Sequence, residues 1–118
     1  MGSDAKVREL VSSGTVPTVW LRSIATSGEN LLMPTISQFF GIAIRMYYDD
    51  HPPPHFHAYY ANDAAKIDIE TLRVTEGKIP RRALALVLEW AAAHRDELLD
   101  DWRLAEAHNP LNHIQPLE

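Results

Sequence analysis

Residues 39–50 read Phe39-Phe40-Gly41-Ile42-Ala43-Ile44-Arg45-Met46-Tyr47-Tyr48-Asp49-Asp50, and this stretch decides the fold. Phe40, Ile42, Ile44, Met46 and Tyr48 fall on one face at period two. Phe39, Gly41, Ala43, Arg45 and Tyr47 fall on the other. That alternation predicts a strand. Asp49-Asp50-His51 and then Pro52-Pro53-Pro54 end it, because proline fixes φ and has no amide donor. A second strand is expected from His55 to Tyr60, with Phe56, Ala58 and Tyr60 on one side and His55, His57 and Tyr59 on the other. Ala61-Asn62-Asp63 reads as a turn. Ala65, Ile67 and Ile69 then alternate with Lys66, Asp68 and Glu70, a half-buried third strand. Leu72 to Thr75 is a short fourth, before Glu76-Gly77-Lys78. Segments this close in sequence pair antiparallel, since a parallel crossover needs a dozen or more residues.

Beyond Ile79 the period changes. Pro80 suits the start of a helix. Leu84, Leu88, Ala91, Leu98, Trp102 and Ala105 recur at three- and four-residue spacing. Two arguments compete over continuity. The apolar phasing runs unbroken toward His108-Asn109-Pro110, which favours one helix. Asp96, Glu97, Asp100 and Asp101 oppose the dipole in the second half of one helix but suit the first turns of a new one. One long helix and a pair broken near His94 both stay open. The expected class is α+β: a small antiparallel sheet of three to four strands, followed by a long helix or helical pair packed on one face. Residues 109–118 read as an extended tail, with Leu111, Ile114 and Leu117 as anchors.

Residues 1–32 carry no such pattern and read as a weakly structured extension, with Val16 to Ile24 a short strand around Trp20. The core domain is expected over residues 33–118. The 118-residue chain carries a net charge of −5, and all of it falls after residue 32. An acidic chain is a poor generic phosphate binder. The absence of cysteine excludes disulfides, thiolate metal ligands and a thiol nucleophile. No apolar run approaches the length of a membrane span. No secretory pattern opens the sequence, so the expectation is a cytoplasmic protein without membrane contact.

Two sets of residues are candidates for chemistry. His51, His55 and His57, in the order His-x-x-x-His-x-His, carry imidazoles at a spacing a divalent metal ion accepts. His55 and His57 project from one strand face about 7 Å apart. Asp49, or its neighbour Asp50, can add a carboxylate. The alternative is ordinary imidazoles hydrogen-bonded on a polar face. No phosphate loop or nucleophile elbow occurs, so no catalytic residues are assigned. The second set is a binding face of Arg45, Tyr47 and Tyr59, joined by Arg81 and Arg82. Aromatics and cations on an open sheet can stack bases and contact phosphates. Positive charge in a first helical turn opposes the dipole, so Arg81 and Arg82 call for an acidic neighbour, partner or ligand.

Several segments together resemble the bacterial domain-of-unknown-function 4160 family. They are Met33-Pro34-Thr35-Ile36-Ser37, Phe39-Phe40-Gly41-Ile42, Met46-Tyr47-Tyr48-Asp49-Asp50-His51, Pro53-Pro54-His55-Phe56-His57-Ala58, Pro80-Arg81-Arg82-Ala83-Leu84 and Ile114-Gln115-Pro116-Leu117. The resemblance implies a small protein without a settled activity, sometimes encoded in pairs like toxin–antitoxin operons. It therefore implies a protein partner more than a reaction. Three functions are carried forward. The first is an interaction module, as half of such a pair or as a homo-oligomer. The second is a metal-dependent hydrolase or nuclease using the histidines. The third is a non-catalytic nucleic-acid binder.

Overall fold

The computed structural model describes residues 33–118. The strand expected around Trp20 and the expected N-terminal extension lie outside the described residues. Five strands, β1 (Thr35–Phe39), β2 (Ile42–Arg45), β3 (His55–Tyr60), β4 (Asp63–Asp68) and β5 (Val74–Lys78), form one sheet in the order β1-β2-β3-β4-β5. Every pairing is antiparallel. Helices α1 (Arg81–Ala93) and α2 (Arg95–Glu106) follow. The protein is thus α+β, with one strand more than the upper expectation.

The extra strand is β1, which lies ahead of the first predicted one and meets it only at Phe39. Phe40 (φ 49°) and Gly41 (φ 78°) make a two-residue turn between Phe39 and Ile42. Positive φ at both central residues matches the twist of the flanking strands. Phe40 therefore leaves the apolar face assigned to it by alternation and is 59% exposed. The last strand also starts later than expected. Val74 to Lys78 pairs with β4 although all five residues are exposed.

The apolar face of the sheet carries Ile42, Ile44, Phe56, Ala58 and Ile67, which meet Val87, Trp90 and Leu98 in one buried core. Trp90 joins the layers: its ring lies 5.3 Å from Phe39 and 6.0 Å from Phe56. The helices break at His94 (φ −124°, ψ 26°). Asp96 and Glu97 occupy the first turn of α2, where they complement the dipole. Glu97 also accepts from the His94 ring. The charge argument outweighs the apolar phasing here.

The tail crosses the β1 edge of the sheet. The Ile114 amide donates to Ile36 O at 2.8 Å, and Ser37 Oγ donates to Ile114 O at 3.0 Å. Trp90 Nε1 donates to Gln115 O at 2.8 Å, and the Asn112 amide donates to Asp101 Oδ1 at 2.9 Å. Ile114 is buried, with Leu111 and Leu117 half-buried beside it. The β1 edge is thereby covered, while all five residues of β5 are exposed.

Candidate metal centre

The second face of the sheet is polar because alternate residues of β3 face away from the core. His55 and His57 start that strand and are 2% and 1% exposed. Register places His57 opposite Arg45 on β2 and Lys66 on β4, and His55 opposite Asp68. The loop from β2 to β3, with its prolines, returns Asp50 over the two rings. The His51 amide donates to Asp50 Oδ1 at 2.9 Å, which fixes the carboxylate and leaves Oδ2 facing the histidines. Asp50 Oδ2 lies 2.6 Å from His55 Nε2 and 3.3 Å from His57 Nε2.

The ligand atoms of Asp50, His55 and His57 all lie within 4.8 Å of one another. His55 Nδ1 is 2.9 Å from Pro53 O. A carbonyl oxygen only accepts, so Nδ1 carries the proton of that bond. Nε2 then faces the Asp50 carboxylate, the direction in which a proton or a metal ion would be shared. Metal-binding histidines are oriented in this way, with the remote N–H donated to a carbonyl or carboxylate.

The protonation states suit a cation. Burial works against ionising Asp50, but hydrogen bonds from His55 and His57, the charge on His55 and the His51 amide outweigh it. They hold the carboxyl well below its ordinary range. Burial lowers His57 below its ordinary value, more than Asp50 raises it, so the ring is neutral at pH 7. The walls are aromatic. Trp102 of α2 lies 5.1 Å from the His55 ring, and Tyr47 lies 4.5 Å from the His57 ring. The Tyr59 hydroxyl donates to Met33 Sδ at 3.2 Å. Burial, with Tyr47 beside it, raises the Tyr59 pKa, so the phenol stays protonated.

Two residues of the expected ligand set lie outside this cluster. His51 is exposed and contributes its backbone amide. Asp49 is exposed and lies 3.2 Å from His108 Nε2. Asp50 takes the place given to Asp49, because the chain leaving the turn at residues 48–49 exposes one carboxylate and sets the next against the histidines. Spacing alone does not choose between neighbours; the His51 amide does.

The expected binding face divides. Arg45, Tyr47 and Tyr59 sit together beside the histidines, half-buried, with the Arg45 guanidinium 5.4 Å from the Tyr59 ring centre. Arg81 and Arg82 lie apart from them, at the exposed start of α1.

Fold and site together define a small α+β domain with a two-histidine, one-carboxylate cluster on the second face of its sheet. The family model described as a domain of unknown function (DUF4160) matches residues 41–103, and the chain belongs to that family. The match spans β2 to α2 and includes all three cluster residues. No curated protein and no solved structure matches the chain. No helix among the described residues is long and apolar enough to cross a membrane.

Proposed function

We propose that the protein is a divalent-metal-binding domain whose ligands are Asp50 Oδ2, His55 Nε2 and His57 Nε2. The observation that carries this reading is the convergence of three ligand atoms while His55 Nδ1 is tied back to Pro53 O. Two imidazoles and a carboxylate suit zinc or iron(II). Tetrahedral ligand atoms about 2.0–2.1 Å from a metal ion stand about 3.3 Å apart. The Asp50–His57 separation of 3.3 Å already meets that, and His55 needs to withdraw by about 0.7 Å from its 2.6 Å contact. Three protein donors leave a position for water, the arrangement of reactive sites rather than closed structural ones.

Arg45 and Lys66 flank His57 across both neighbouring strands. Cations at that position suit a phosphoester or another anion, which supports hydrolysis of such a substrate as an extension of the metal reading. With a metal of this class bound, the water it activates would supply the nucleophile.

The test is elemental analysis of protein purified without a histidine tag, followed by titration with zinc and with cobalt(II). One equivalent is expected, with cobalt showing a low-coordinate visible spectrum. At metal concentrations 100-fold above Kd, stability rises by about 2.7 kcal/mol. His57→Ala and Asp50→Asn are expected to lose both effects. A folded wild-type protein that takes up no metal and gains no stability from it excludes this reading.

A further inference from the structure

A groove of about 480 Å³ shares no residue with the metal cluster. It is lined by Phe40, Ile42 and Tyr60 of the sheet and by Arg82, Ala83 and Leu86 at the start of α1. Its rim departs from what the fold itself favours in two ways. Phe40 holds a left-handed φ of 49° that suits glycine or asparagine, and it is 59% exposed. Folding alone rewards neither. Arg81 and Arg82 occupy the first turn of α1, which holds no acidic residue and has no side-chain cap. Both are exposed, and neither forms a salt bridge among the described residues. Their charge opposes the positive end of the helix dipole.

We propose that this groove docks an acidic segment of a partner protein, with an apolar side chain inserted beside Phe40 and Leu86 and carboxylates meeting Arg81 and Arg82. Charge complementarity identifies the occupant. The chain carries −5 overall, yet Arg82 lines the groove, Lys78 and Arg81 lie within four residues of Arg82 in sequence, and the positive end of α1 is adjacent. The apolar lining distinguishes a peptide from a nucleic acid, whose affinity rests on phosphate neutralisation. Charged rims of this kind set association rate and choice of partner, and the apolar anchor holds the complex.

The experiment uses the full chain, isotope-labelled, with a ten-residue peptide of aspartates interspersed with leucine and phenylalanine as the probe. Saturable shifts are expected at residues 40–42 and 82–86, with no such response to a lysine-for-aspartate version of the peptide. Arg82→Glu and Phe40→Asn each weaken binding by at least about tenfold. Neither lowers Tm, because glutamate suits a first helical turn and asparagine suits positive φ. Loss of binding without loss of stability separates a docking role from a structural one. The proposal is overturned if millimolar peptide produces no saturable shift, or if the two variants bind as the wild type does. It is also overturned if a twenty-residue oligothymidine displaces the peptide at these residues. Sedimentation supplies one further overturning result: a wild-type dimer that Arg82→Glu converts to monomer gives the groove to a second copy.

Discussion

Asp50 and Asp101 are both carboxylates withdrawn from solvent, and their surroundings treat them oppositely. Asp50 is 17% exposed and meets two imidazoles and a backbone amide. Burial alone would raise its pKa, and these partners reverse that. Asp101 is fully buried in α2. Its Oδ1 accepts one amide, from Asn112, and its Oδ2 has no hydrogen-bond partner among the described residues. Burial raises its pKa to about 6, the Asn112 amide offsets only part of that, and the neighbouring charges of Asp100 and Glu97 add to the rise. Partners rather than depth decide whether a withdrawn carboxylate stays charged. A charged one set between two imidazoles can receive a cation in place of a proton. A partly protonated one beside an amide fastens the tail.

The comparison breaks most visibly at Asp50. Asp50→Ala leaves two buried imidazoles without their shared acceptor. Removing one partner of a buried charged pair costs about 3–5 kcal/mol, and the lower end applies to a group that keeps some exposure. Urea unfolding at pH 7 is therefore expected to show a loss of about 3 kcal/mol. A loss below about 1 kcal/mol means that solvent replaces the carboxylate freely and that the cluster is not preorganised.

The pH profile separates the two carboxylates by sign. The folded state raises Asp101 from 3.8 to about 6, so it binds more protons than the unfolded chain between those values. Stability accordingly falls as pH rises from about 4 to about 6, and the cost is fully present above that. Asp50 behaves in the opposite sense. Its folded pKa is depressed, so its contribution is present above its unfolded value and disappears as pH falls through the folded one. Asp101→Asn keeps the acceptor for Asn112 while removing the ionisation. Its expected gain is about 1 kcal/mol at pH 7.5, shrinking to nothing near pH 4. Thermal melts of wild type and variant across that range check it. A gain that does not change with pH would mean that Asp101 is not the group titrating there.

These same residues mark how far the sequence could be read. Alternation exposed β3 and β4 because each buries one face on the helices. It overran the turn at Phe40-Gly41, because a phenylalanine with positive φ contradicts local preference. It set β5 at Leu72 to Thr75, two residues early, because Val74 to Lys78 bury nothing and take their conformation from pairing with β4. It gave β1 no strand, since Ser37 owes its burial and hydrogen bond to Ile114, 77 residues away. His55 and His57 were legible as a pair because a strand puts residues two apart on one face. Their carboxylate partner was not, because Asp49 and Asp50 differ only in the direction their turn points them.

That last distinction supplies the smallest expected effect and the sharpest check on the ligand set. Asp49 is adjacent to Asp50 in sequence, 73% exposed, and among the described residues is paired only with an exposed His108. Exposed pairs of this kind contribute little, because water screens them and side-chain freedom is lost in forming them. Asp49→Ala is expected to change stability by less than about 0.5 kcal/mol and to leave metal affinity within about twofold, as an outward carboxylate with no ligand role requires. Isothermal titration with zinc on Asp49→Ala and Asp50→Asn, side by side, reads both affinities. If Asp49→Ala loses the metal and Asp50→Asn retains it, the loop between β2 and β3 must rotate on binding. Asp50 would then be the anchor of two structural histidines, and the three-atom convergence would describe a hydrogen-bond cluster instead of a coordination site.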